Sequence, residues 1–159
     1  MSDSFRLWVR GAAAACALAL PAVASAQLPN SYFTPGSTTN ASSKQLCAAD
    51  FDPVGNPIAS WQRTTALERY GIRPESFTGE LDHLVPVALG GSNDPDNLWP
   101  MRGKDELTPE AKARLAMRLK QMVCDGKMSL KDAQNAFKKD WTKAYKQYSQ
   151  ALNAPGGSQ

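Results

Sequence analysis

The strongest hydrophobic signal in the chain comes first. Gly11 to Val23 is an almost continuous apolar stretch, preceded by Arg6 and Arg10 and followed by Ala24-Ser25-Ala26. A basic lead, a short apolar run and a small-residue cleavage site predict a secretory signal peptide over residues 1–26, with the mature chain starting at Gln27. A membrane anchor fits less well, because Pro21 interrupts the run and it falls short of the ~20 residues a bilayer core needs. Lipoprotein processing at Cys16 also fits less well, since the apolar run continues past that cysteine. The chain is therefore expected to be secreted or periplasmic, with no membrane anchor after cleavage.

Beyond Gln27 the patterning is more local. An irregular arm is expected over residues 27–59, whose first half is rich in Ser, Thr, Asn, Pro and Gly. Ser60 to Tyr70 predicts a short helix closed by Gly71. Phe77 to His83 alternates as a strand does, Pro86 and Gly90-Gly91 force a loop, and a second short strand is expected near Leu98 to Met101. Thr108-Pro109-Glu110 supplies a cap, a first-turn proline and an early acid. Leu115, Leu119, Met122 and Val123 then mark the buried stripe of a helix ending near Asp125-Gly126. Ser129 caps a last helix with the apolar face Leu130, Ala133, Phe137, Trp141, Ala144, Tyr145 and Tyr148. These elements predict one α+β domain over residues 60–153, followed by a frayed tail at 154–159.

Loss of residues 1–26 removes Cys16 and leaves Cys47 and Cys124, in a chain long enough for one domain with a modest core. In an exported protein that pair predicts a disulfide, and a loop of this length is worth on the order of 4 kcal/mol in the chain-entropy model. No C-x-x-C spacing points to a redox role. The net charge of +3 becomes informative only when divided along the chain. Glu75 to Pro100 holds Glu75, Glu80, Asp82, Asp94 and Asp96 without a lysine or arginine, whereas Arg102 to Lys146 carries twelve basic residues against six acidic ones. An acidic centre beside a basic C-terminal half suits a cation next to a surface that attracts polyanions. Lysines that merely solvate helix faces are the plainer alternative.

The segment ELDHLVPVALGGSNDPDNLWP, from Glu80 to Pro100, contains the only histidine, His83. An isolated histidine is more often structural than catalytic, so its neighbours decide the matter. Asp82-His83, Pro86, Gly90-Gly91 and Asn97-Leu98 together resemble the motif of the HNH (His-Me finger, ββα-metal) endonucleases, over roughly Glu80 to Lys112. Asn97-Leu98-Trp99-Pro100, and Val123-Cys124-x-Gly126 ahead of Ala133-Gln134 and Asp140-Trp141, are similar to a branch of small secreted bacterial proteins of that type. The resemblance implies a ββα-metal core flanked by helices. It also implies an endonuclease that hydrolyses phosphodiester bonds of nucleic acid, DNA ahead of RNA, with a divalent ion, Mg²⁺ or Mn²⁺.

Phosphodiester hydrolysis needs an activated water and stabilisation of charge on the phosphate and leaving oxygen. By resemblance, His83 is the general base and Asp82 the metal ligand. Asn97 braces the loop so that a loop carbonyl fixes the imidazole tautomer. Glu80, on the same strand face as Asp82, is a supporting ligand. The plainer alternatives are an Asx turn for Asp82, a turn or cap for Asn97 and a solvated strand edge for Glu80. One departure from the pattern stands out: no His or Asn lies between Leu98 and Asn135 to complete a metal site. Asp105, Glu106 and Glu110 are the oxygen donors in that region, and they would favour a hard ion. Arg102, Lys104, Lys112 and Arg114 are the candidate phosphate-contacting residues. The rival from another class is a catalytically inactive secreted binding module on the same scaffold. A Ca²⁺ site from Asn93, Asp94, Asp96 and Asn97 lacks the EF-hand spacing.

Overall fold

Helix boundaries fall where local capping chemistry puts them. The computed structural model describes residues 28–101 and 106–149, so the expected signal peptide, Arg102, Lys104, Asp105 and the tail at 154–159 lie outside the described residues. Helix α1 (Ser43–Leu46) opens on a reciprocal capping box between Ser42 and Gln45. Helices α2 (Ser60–Arg69) and α3 (Pro109–Cys124) end alike. The N–H groups of Gly71 and Ile72 turn back onto the Glu68 and Leu67 carbonyls, and those of Gly126 and Lys127 onto Val123 and Met122. Such a closure needs a left-handed residue, and Gly71 and Gly126 supply it with φ of 67° and 70°. The Thr108 hydroxyl accepts from Ala111 N at the start of α3, with Pro109 in the first turn. The Ser129 hydroxyl accepts from Asp132 N at the start of α4 (Leu130–Ser149).

Two of these elements differ from expectation. Helix α4 is broken at Asp140, whose backbone is extended and whose Oδ1 accepts from the N–H groups of Thr142 and Lys143, so that it caps a second helical segment. The first strand is shorter than expected: β1 is Glu80–His83. Phe77 is drawn off to α2, where Arg63 Nη2 donates to its carbonyl at 3.2 Å and the guanidinium carbon lies 5.2 Å from its ring centre. Strand β2 (Leu98–Met101) pairs antiparallel with β1, placing Asp82 opposite Trp99 and His83 opposite Leu98.

The architecture is α+β, with a two-stranded antiparallel sheet and one disulfide. Leu115, Leu119 and Val123 of α3 and Ala133, Phe137 and Trp141 of α4 share one buried cluster with Leu84, Val85, Leu89 and Trp99. Each large apolar side chain removed from water there contributes about 1.5–3 kcal/mol before entropy is counted. The Cys47–Cys124 bridge spans 77 positions and fastens the end of α1 to the end of α3.

The arm is less irregular than its composition suggests, since it is woven onto the loop between the strands. Thr34 is fully buried, with its hydroxyl bonded to the Leu98 carbonyl and to Tyr70 Oη. Gly36 N donates to the Asp96 carbonyl and Thr39 N to that of Gly90. Among the described residues no helix is long and apolar enough to cross a membrane.

Candidate functional site

Between β1 and β2 the chain makes a tight loop whose geometry is set by Asn97. Leu84 N donates to the Asn97 backbone carbonyl, continuing the ladder past His83. The Asn97 side chain is fully buried and satisfied on both sides: Oδ1 accepts from Val85 N at 2.8 Å, while Nδ2 donates to the carbonyls of Val85 and Ser92 at 3.0 and 2.8 Å. The loop closes so tightly that a Cβ on Gly91 would lie 1.7 Å from the Val85 carbonyl oxygen, so only glycine fits. From the far side, Gln134 of α4 donates to the Leu89 carbonyl at 2.9 Å. Asn97 thus braces the loop from within the protein interior.

The imidazole is oriented by a residue other than the expected carbonyl. His83 Nε2 lies 2.7 Å from Asn93 Oδ1. The other end of that amide settles its orientation, because Asn93 Nδ2 donates to the carbonyls of Asn56 and Pro57 at 3.0 and 3.2 Å, and carbonyls only accept. Oδ1 must therefore face the ring. An amide oxygen also only accepts, so neutral His83 carries its proton on Nε2 and its lone pair on Nδ1.

Asp82 meets two donors. Directly across the sheet from it, Trp99 offers its indole N–H to Oδ2 at 3.2 Å. Lys112, from the first turns of α3, places Nζ 2.8 Å from the same oxygen and also donates to the backbone carbonyl of His83. Lys112, expected as a phosphate-contacting residue of the basic C-terminal half, is 2% exposed. Burial pushes its ammonium below the usual lysine range, with the Asp82 carboxylate opposing that shift. The Lys112–Asp82 pair and the sole imidazole border one cleft of 290 Å³, whose other wall is largely apolar and includes Pro86, Val87 and Met117.

The remaining candidates are not gathered there. Glu80, Glu106, Glu110 and Arg114 are exposed. Glu110 serves its own helix start, where a hydrogen bond with Thr108 and its own backbone N–H hold the carboxyl below the usual range. Among the described residues no three His, Cys, Asp or Glu side chains are grouped to hold a metal ion. Sequence reasoning missed Lys112 as a partner of Asp82, Asn93 as the partner of His83, and Trp99 as a polar contact. No protein-family model matches the chain, and neither a curated protein nor a solved structure matches it.

Proposed function

We propose that the chain is an exported endonuclease of the HNH type, hydrolysing phosphodiester bonds of nucleic acid, DNA ahead of RNA, with His83 as general base. The observation that carries this reading is the fixed imidazole, held by Asn93 in the tautomer that leaves Nδ1 basic, at the edge of a cleft that also holds a cation. Attack by water on phosphorus passes the water's proton to Nδ1. The P–O bond to the departing sugar oxygen breaks, and that oxygen takes a proton from solvent. A diester and water become a monoester and an alcohol. The strand–loop–strand–helix order of β1, β2 and α3 suits the HNH motif, and the Cys47–Cys124 bridge suits an oxidising compartment outside the cytoplasm.

The divalent ion implied by the motif fits less well. Asp82 Oδ2 is engaged by an ammonium and an indole, and the described carboxylates form no metal group with it. That same observation favours a second reading, a catalytically inactive binding module on this scaffold.

Incubation of the purified exported protein with supercoiled plasmid, single-stranded DNA and RNA separates the two. The native protein is expected to cleave, and His83→Ala to cleave more slowly by roughly 10²- to 10⁴-fold with its fold intact. Failure of the native protein to cleave any of the three, with or without divalent ions, would select the binding module.

A further inference from the structure

We propose that the Lys112 ammonium is the resident cation of the cleft: it receives the phosphate oxygen that a divalent ion would otherwise bind, and Asp82 serves to hold that ammonium in place. The inference rests on the phosphodiester reading of the same site.

A lysine that is 2% exposed is not a solvated surface charge, and its burial is costly unless its donors are matched. They are matched in a definite way. One N–H meets Asp82 Oδ2 at 2.8 Å and a second meets the His83 carbonyl, which ties the ammonium to the strand that carries the base. The Phe137 ring, with its centre 5.2 Å from Nζ, backs the cation on the core side. Lys112 also borders the cleft together with Asp82 and His83, so its third donor is the one assigned to a ligand oxygen.

Charge balance leads to the same assignment. Asp82 and Lys112 neutralise one another, so a dication added at Asp82 would sit beside an ammonium, and among the described residues no group of three ligands gathers there to offset the added charge. A singly charged phosphodiester adds one negative charge to a neutral pair and meets a donor already oriented. A fixed ammonium of this kind does the electrostatic work of a preorganised transition-state donor.

His83 is the only histidine, so its ring signals in ¹⁵N-edited NMR report on this cleft alone. In the native exported protein, paramagnetic Mn²⁺ at sub-millimolar concentration is expected to leave the His83 ring signals sharp, and inorganic phosphate is expected to shift them. Cleavage is expected to persist in excess EDTA. Lys112→Met should lose the phosphate-dependent shift and lower EDTA-resistant cleavage by roughly 10²-fold or more. It should also allow Mn²⁺ to broaden His83, because the Asp82 carboxylate then has no ammonium against it and keeps only the Trp99 indole N–H.

Selective broadening of His83 by Mn²⁺ in the native protein would overturn the proposal, as would activity abolished by EDTA and restored by Mg²⁺, or ring signals unmoved by phosphate. These Mn²⁺, EDTA and phosphate measurements use only the native protein, so they decide the proposal even where Lys112→Met fails to fold. A native protein that cleaves nothing but shows the phosphate shift without Mn²⁺ broadening would support the Lys112 site and overturn the nuclease reading alone.

Discussion

Asn93 presents its amide oxygen to His83 Nε2 at 2.7 Å while its amide nitrogen is held by two carbonyls of the 56–57 loop, so the tautomer of the imidazole is determined by a side chain ten positions away. The neutral ring is expected to show a pyrrole-type ¹⁵N shift at Nε2 and a pyridine-type shift at Nδ1. Asn93→Ala removes the acceptor and should leave a mixture of tautomers, with cleavage reduced by roughly 10- to 100-fold, the scale for loss of an orienting partner. Asn93→Asp sets an acceptor oxygen against the Asn56 and Pro57 carbonyls in place of the amide donor, so it should not rescue the fixed tautomer. An unchanged tautomer in Asn93→Ala would show that another contact orients the ring.

The loop that carries Asn93 depends on Asn97 and Gly91. Asn97→Ala deletes three hydrogen bonds at a fully buried position and strands Val85 N–H and two carbonyls, which should cost roughly 2–4 kcal/mol in urea unfolding. Gly91→Ala should be at least as damaging, since its Cβ would overlap the Val85 carbonyl oxygen at 1.7 Å. Either substitution should disturb the His83 ring shifts together with stability. A stable Gly91→Ala with native shifts would mean that the loop has a second, roomier conformation.

What was legible in the sequence was what is encoded locally. Gly71, Thr108-Pro109 and Ser129 bound their helices by chemistry that acts within one turn, and the structure places those ends accordingly. Pro86, Gly90-Gly91 and Asn97 likewise mark a tight loop before any contact is known. Asn93 was not legible, because its role depends on carbonyls more than thirty positions away.

Lys112 lies between these extremes. It stands three residues before Leu115 and seven before Leu119, on the same helical face as that stripe, so the period itself places it on the buried side. Reading it by residue type alone sends it to solvent. Asp140 was masked for the opposite reason. Phe137, Trp141 and Ala144 keep helical spacing across it, and nothing in the apolar pattern records the break.

The Cys47–Cys124 bridge joins two helix ends that are otherwise remote in sequence. Protein from the exported fraction, denatured without reductant, is expected to show no free thiol. Reduction should lower stability by as much as about 4 kcal/mol, less where the reduced unfolded chain stays compact. Calorimetry with and without reductant measures the difference. Two reactive thiols in the unreduced exported protein would remove the staple and the support it lends to export.

Asp140 makes the fold's acid response specific. Burial alone would raise its pKa, but hydrogen bonds from the Thr142 hydroxyl and from the Thr142 and Lys143 backbone, with the Lys143 ammonium at 3.3 Å, outweigh burial and hold the carboxyl below the usual range. As pH falls, the unfolded chain therefore takes up this proton before the folded one does. The stabilisation is fully present above the unfolded value of about 3.9 and is lost as pH drops through the lower folded value. Asp140→Asn keeps a capping oxygen but cannot titrate, so its deficit relative to the native protein should be constant at neutral pH and shrink below about pH 4. Asp140→Ala loses the cap as well and should cost about 1 kcal/mol at neutral pH. Urea unfolding of the three proteins across an acid series tests this. A native–Asn gap that stays constant down to the lowest pH would show that the charge on Asp140 contributes nothing to holding the two halves of α4 together.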